Sequence, residues 1–129
     1  MRYVGSRACE ASIRAHWAVL ILALAGCNAF EPCQTDIHPA VAVEVREAGT
    51  GVSLAEGARG VLREGAFVDS LRLWKMPAQL GGAFERPGTY SVEVEHAGYV
   101  KWQRDGVRAR DSSCHVRTVT LRADLVPLP

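Results

Sequence analysis

The chain has 129 residues, enough for one domain, and 48% of them are hydrophobic, the level of an ordinary globular protein. Its 15 Lys+Arg nearly balance its 14 Asp+Glu, for a formal charge of +1. So balanced a chain lacks the clustered basic charge that nucleic-acid binding needs.

Residues 1–14 hold Arg2, Arg7 and Arg14 against Glu10, and residues 17–25, Trp-Ala-Val-Leu-Ile-Leu-Ala-Leu-Ala, are wholly apolar. The uncharged run is interrupted by His16 and Asn28, and falls short of the roughly 20 apolar residues of a spanning helix. A basic start, a short apolar run and small residues after it predict an export signal over 1–26. Its removal takes three arginines and one glutamate from the totals, leaving a mature chain close to neutral.

The apolar run ends Leu24-Ala25-Gly26-Cys27. This tetrapeptide resembles the lipobox of bacterial lipoproteins. The resemblance implies cleavage between Gly26 and Cys27 and a diacylglycerol on the Cys27 thiol, with small side chains at 25 and 26 fitting a narrow peptidase cleft. Membership of that class implies an address in the cell envelope with the membrane held through lipid on Cys27. Asn28, which is not the aspartate that favours inner-membrane retention in enteric bacteria, points to the outer membrane.

Cys9 leaves with the signal and Cys27 is consumed by lipid, so of the four cysteines Cys33 and Cys114 remain. The exported compartment permits a disulfide between them. A loop of about 80 residues closed in this way stabilises a fold by about 4.5 kcal/mol in the chain-entropy account. The alternatives are two free thiols or a bond between molecules. Nothing resembles the Cys-x-x-Cys of redox catalysts.

Residues 27–37 read as a lipidated, polar tether and 38–129 as the folded domain. The segment Ala40-Val41-Ala42-Val43-Glu44-Val45-Arg46 alternates, with the valines on one face and Glu44 and Arg46 on the other, which predicts a half-buried strand. A turn follows at 48–51. Two strands, 58–63 and 66–73, flank Glu64-Gly65, a hairpin turn in which glycine takes positive φ freely. Residues 74–86, with Pro77 and Gly81-Gly82, read as a loop.

The strongest alternation is Thr89-Tyr90-Ser91-Val92-Glu93-Val94-Glu95-His96, with Tyr90, Val92 and Val94 inward. Ala97-Gly98 turns the chain, Tyr99 to Gln103 reads as a short strand, and Asp105-Gly106 turns it again. A last strand runs from about His115 to Leu125, with Val119, Leu121, Ala123 and Leu125 on one face. The expected fold is all-β, a single antiparallel sandwich of about seven strands. Gly88-Thr89-Tyr90-Ser91-Val92-Glu93-Val94 with Gly98-Tyr99 resembles the carboxypeptidase regulatory-like family, a transthyretin-like β-sandwich. The resemblance extends over about 38–125. It implies the fold and no shared active site.

No catalytic or cofactor pattern emerges. His38, His96 and His115 lie on separate segments without ligand-type spacing, which predicts no metal site. Glu93 and Glu95 share the polar face of one strand, and no serine sits in a nucleophile elbow. The expected activity is non-enzymatic binding or scaffolding in the envelope through a protein partner. A carbohydrate-binding module that uses exposed aromatics is the alternative. The candidate surface is Trp74, Tyr99 and Trp102, since aromatic rings anchor partners or stack on sugars. Trp74, at the start of the expected loop, is the foremost of the three.

Overall fold

The computed structural model describes residues 32–76 and 78–129. The expected signal segment, the cleavage residues Leu24 to Gly26, and Cys27 lie outside the described residues. The compact unit runs Pro32–Pro129.

Seven strands form it: β1 (Pro39–Glu47), β2 (Arg59–Glu64), β3 (Phe67–Lys75), β4 (Gln79–Phe84), β5 (Gly88–Glu95), β6 (Trp102–Ala109) and β7 (Val119–Leu125). They make one sheet in the order β6-β5-β2-β3-β4-β1-β7. The sheet folds over at β3, which pairs β2 on one side and β4 on the other. Its two edge strands, β6 and β7, come back into contact, so the sheet is nearly closed. Between them the chain before β6 meets the chain after β7. The Val100 amide donates to the Val126 carbonyl and the Leu128 amide to the Gly98 carbonyl, each at 2.8 Å.

All-β architecture with seven strands is what the alternation predicts. One pairing departs from the antiparallel expectation: β1 and β7 run parallel, from Val41↔Val119 to Glu47↔Leu125. A parallel neighbour needs a crossover instead of a hairpin. Here β7 reaches β1 only after the chain has built five other strands.

Burial explains the strong strands. On β5 Tyr90, Val92 and Val94 are sealed from solvent, and on β7 Ala123 and Leu125 are. These residues meet Leu62, Leu71, Leu80 and Val107 in one core with Val41, Val43 and Val45. Each such valine or leucine stabilises the fold by about 1.5–3 kcal/mol over leaving it exposed. The first five residues of β1, Pro39 to Val43, are all buried, which exceeds the half-buried strand that its alternation suggests.

Two expected breaks in structure are strand. Residues 79–84 form β4, not part of a loop, because Gly81 and Gly82 are there for close packing and not for turning. A β-carbon on Gly82 would lie 2.8 Å from Leu71 Cδ2 and 2.9 Å from Leu62 Cδ2. One on Gly81 would lie 2.9 Å from the Trp74 Cβ. Asp105-Gly106 is likewise no turn. β6 continues through it with a register shift opposite Tyr90 and Val92, and Gly106 at φ 68 absorbs the additional residue as a bulge. The hairpin at Glu64-Gly65 forms as expected, with Glu64 paired to Phe67 and Gly65 at φ 55.

Cys33 and Cys114 form the disulfide, with their Cα atoms 5.3 Å apart. It staples the start of the domain to the segment between β6 and β7. Reduction of the folded protein is expected to lower its unfolding free energy by about 2–4 kcal/mol, read from urea titrations with and without a dithiol. Gly60→Ala is expected to cost about 1–3 kcal/mol in the same titration through overpacking. Its β-carbon would fall 2.9 Å from both Cβ and Cγ of Leu71.

Candidate functional site

The three candidate aromatics do not share a surface. Trp74 lies near the end of β3, at a register shift between Leu73 and Lys75, and is not in a loop as the sequence suggests. Its ring meets Phe84 edge-on, with centroids 5.4 Å apart and planes at 62°. It lines a shallow cleft with Asp36, Ile37, His38 and Lys75. Ile37 also lines a second cleft with Phe67, Leu73 and Phe84, so the two join into one apolar surface beside the start of β1. Ile37, Leu73 and Met76 remain 59%, 53% and 67% exposed. Arg72 and Lys75 stand among them.

Tyr99 and Trp102 lie at the other end of β1. The Tyr99 hydroxyl donates to Glu47 Oε1 at 2.7 Å, and Glu47 is the last residue of that strand. At about 3.3 Å per residue, the nine-residue β1 holds the two ends roughly 26 Å apart. Both rings are partly buried against the core. Tyr99 stands edge-on to His96, with centroids 5.1 Å apart, and the Arg104 guanidinium lies 5.8 Å from the Trp102 centroid. Around Tyr99 opens a cleft of about 580 Å³, lined by Arg59, His96, Lys101 and Leu128 among others. Lys101 reaches Glu95 at 2.9 Å and Glu93 at 3.5 Å. These two glutamates therefore work as a salt-bridged outer face, and the pairing raises the Lys101 pKa, Glu95 contributing most.

A third cluster is invisible in sequence spacing. His38 and His115 stack, with centroids 4.5 Å apart, and Glu85 lies between their segments. The Glu85 carboxylate accepts from the His38 amide at 2.6 Å and the Val116 amide at 3.2 Å, and its Oε1 lies 2.9 Å from His115 Nδ1. Backbone shape makes this reach possible. Ala83 and Glu85 both have positive φ, 50° and 53°, a region that side chains other than glycine enter at a cost. The Asp69 carboxylate holds the bend by accepting from the Ala83 amide at 2.8 Å. Partial desolvation raises the Glu85 pKa, but the His38 amide, the His115 ring and the Val116 amide together outweigh it and hold the carboxyl below its ordinary 4.5. Together with the neighbouring disulfide, this joint ties the incoming chain to the segment before β7.

The joint holds two of the three histidines weighed as metal ligands and leaves His96 at the far cleft. Among the described residues, no group of three or more His, Cys, Asp or Glu is placed to hold a metal ion. His115 Nε2 is buried without a hydrogen-bond partner. Sequence reasoning missed Glu85. Its only local signal was the turn-like Glu85-Arg86-Pro87-Gly88, and its partners lie 47 and 30 residues away.

Because the folded Glu85 carboxyl titrates below its ordinary 4.5, its stabilisation is present above that pH and is lost as pH falls through the lowered value. Glu85→Gln is therefore expected to flatten part of the acid limb of the stability–pH curve below about pH 4.5. Glu47, Glu64 and Asp105, lowered chiefly by Thr50, by the Thr89 amide and by Gln103, contribute to the same limb. Urea titrations of both proteins at successive pH values would show it, and parallel curves would assign Glu85 no such role.

A scan against protein-family models finds no match to this chain, and a search of curated proteins finds none either.

Proposed function

We propose that this chain is a lipid-anchored, non-enzymatic binding or structural module of the cell envelope. It is cut before Cys27, carries lipid on that cysteine, and presents a small sandwich of the carboxypeptidase regulatory-like type to a protein partner. The address rests on Leu24-Ala25-Gly26-Cys27 behind an apolar run and a basic start. The family reading rests on the motif that becomes β5, where Tyr90, Val92 and Val94 fill the core.

The observation that carries the presenting role is the separation of the domain's two surfaces along β1. Cys33 and the Glu85 joint fix the incoming chain at the start of that strand. The Tyr99 cleft opens at its end, bounded by Glu47. A module tethered at one end thus offers a cleft of about 580 Å³ at the other. With Arg59, Lys101 and His96 beside Tyr99 and Leu128, that cleft mixes polar and apolar contacts as partner-binding surfaces do. Stacking on a sugar favours a flat, shared ring surface. Trp74 and Phe84 meet at 62°, and Tyr99 and His96 at 90°, which favours the protein partner over glycan.

Cys27→Ala is expected to move the protein from the detergent phase to the aqueous phase, and unchanged partitioning would refute lipidation. A photoreactive side chain at Lys101 is expected to give a discrete protein adduct in intact cells, and the same group at Val68 none. Equal labelling from both positions would count against a partner at the cleft.

A further inference from the structure

The surface around Trp74 has no role in that reading, and it differs in kind from the Tyr99 cleft. Ile37, Leu73 and Met76 are each more than half exposed there, next to the half-buried Trp74 and Phe84. Such clustered exposure in a domain with a filled interior marks a contact surface. We propose that this surface seats on the membrane interface, with the apolar side chains entering the headgroup boundary and Arg72 and Lys75 facing lipid phosphate. The proposal rests on lipidation of Cys27.

Three observations select a bilayer as the occupant. The first is the length of chain between the anchor and the domain. Cys33 is covalently fixed to Cys114, and only six residue steps separate it from Cys27. Fully extended, they reach at most about 21 Å. That is shorter than the roughly 26 Å of β1, so the anchored domain cannot stand off the bilayer by its own length. The second is where the chain enters the domain. Asp36, Ile37 and His38 line the Trp74 cleft themselves, so the apolar surface lies beside the incoming chain, which on its other side borders a polar cleft with Glu85 and Asp111.

The third is chemistry. Tryptophan, flanking cations and unpaired aliphatic side chains are the composition of an interfacial contact. The Lys75 ammonium lies 6.0 Å from the Trp74 ring centroid, and the Arg72 side chain is 72% exposed. Of the carboxylates on this surface, Asp69 accepts from the amides of Ser70 and Ala83 and also lies 3.6 Å from the exposed Arg72 guanidinium, so Lys75 is the cation nearer the ring, with Asp36 beside it. Arg86 is engaged by Glu64 at 2.8 Å.

The mature chain has two tryptophans, Trp74 and Trp102, since Trp17 departs with the signal. Trp102→Phe therefore leaves Trp74 as the sole reporter, and Trp74→Phe leaves Trp102. The full lipidated protein would be reconstituted into phosphatidylethanolamine–phosphatidylglycerol vesicles, with and without bromine on the acyl chains near the headgroup. Mass analysis of the N-terminal peptide would establish lipid on Cys27 first. Interfacial seating at 5–10 Å depth predicts about a twofold loss of Trp74 emission in brominated vesicles and little change for Trp102. A Leu73→Asp, Met76→Asp double variant changes only exposed positions, so it should keep its circular dichroism and its lipid and lose the quenching. Lipid on Cys27 with Trp74 unquenched overturns the seating and leaves the anchor standing. So does Trp74 shielded from aqueous quencher by a crosslinked protein. An unmodified Cys27 overturns the anchor and the seating together.

Discussion

The domain depends on hiding β1. Pro39 to Val43 are buried, so the strand needs a hydrogen-bonded neighbour on each side and side chains on each face. β4 supplies one neighbour through Pro39↔Phe84 and Val43↔Leu80, and β7 supplies the other. Because Gly81 and Gly82 carry no side chain, the faces of β4 are open to side chains from elsewhere in the fold. Where Gly82 would bear one, Leu62 and Leu71 fill the space from within, and Trp74 does the same at Gly81. β7 covers the other edge of β1 in parallel, from Val41↔Val119 to Glu47↔Leu125.

From that arrangement comes the domain's polarity. β1 starts where the disulfide and the Glu85 joint bind the incoming chain, and ends where Glu47 holds Tyr99. A second network, at the start of β5, closes the β2–β3 hairpin against it. The Arg86 guanidinium lies 3.8 Å from the Phe67 centroid, and its Nη1 donates to Glu64 Oε1 at 2.8 Å and to the buried Tyr90 hydroxyl at 3.0 Å. Tyr90 thus buries its ring without orphaning its oxygen, which an unpartnered hydroxyl would make costly.

Legibility followed the range of the interactions. The alternation of Tyr90, Val92 and Val94 reports a local period, and it gave the inward face correctly. The disulfide was reachable by counting the cysteines left once Cys9 and Cys27 were set aside. Gly81-Gly82 and Asp105-Gly106 look like turns in isolation. The first pair answers to Leu62, Leu71 and Trp74, and Gly106 absorbs an offset against β5. Neither cause is visible within a short window. Trp74, Tyr99 and Trp102 are all partly exposed, but which of them share a surface is set by strand order, and that order separates Trp74 from Tyr99. The stacking of His38 on His115 was likewise beyond any spacing rule, because residues 77 apart, with six strands between them, meet only in the folded sheet.

The meeting of residues 98–100 with 126–128 bears on the proposed anchoring. Anchored chains diffuse in two dimensions, where copies meet often and in similar orientation, and an unpaired strand edge is a template for joining them. In this fold the chain leading into β6 and the chain leaving β7 satisfy each other, which shortens the open rim at one end. Along β6 the bulge at Gly106 twists the remaining edge, and Arg104, Asp105 and Arg108 charge it. Crowding on a membrane would then concentrate the clefts of neighbouring copies without fusing their sheets.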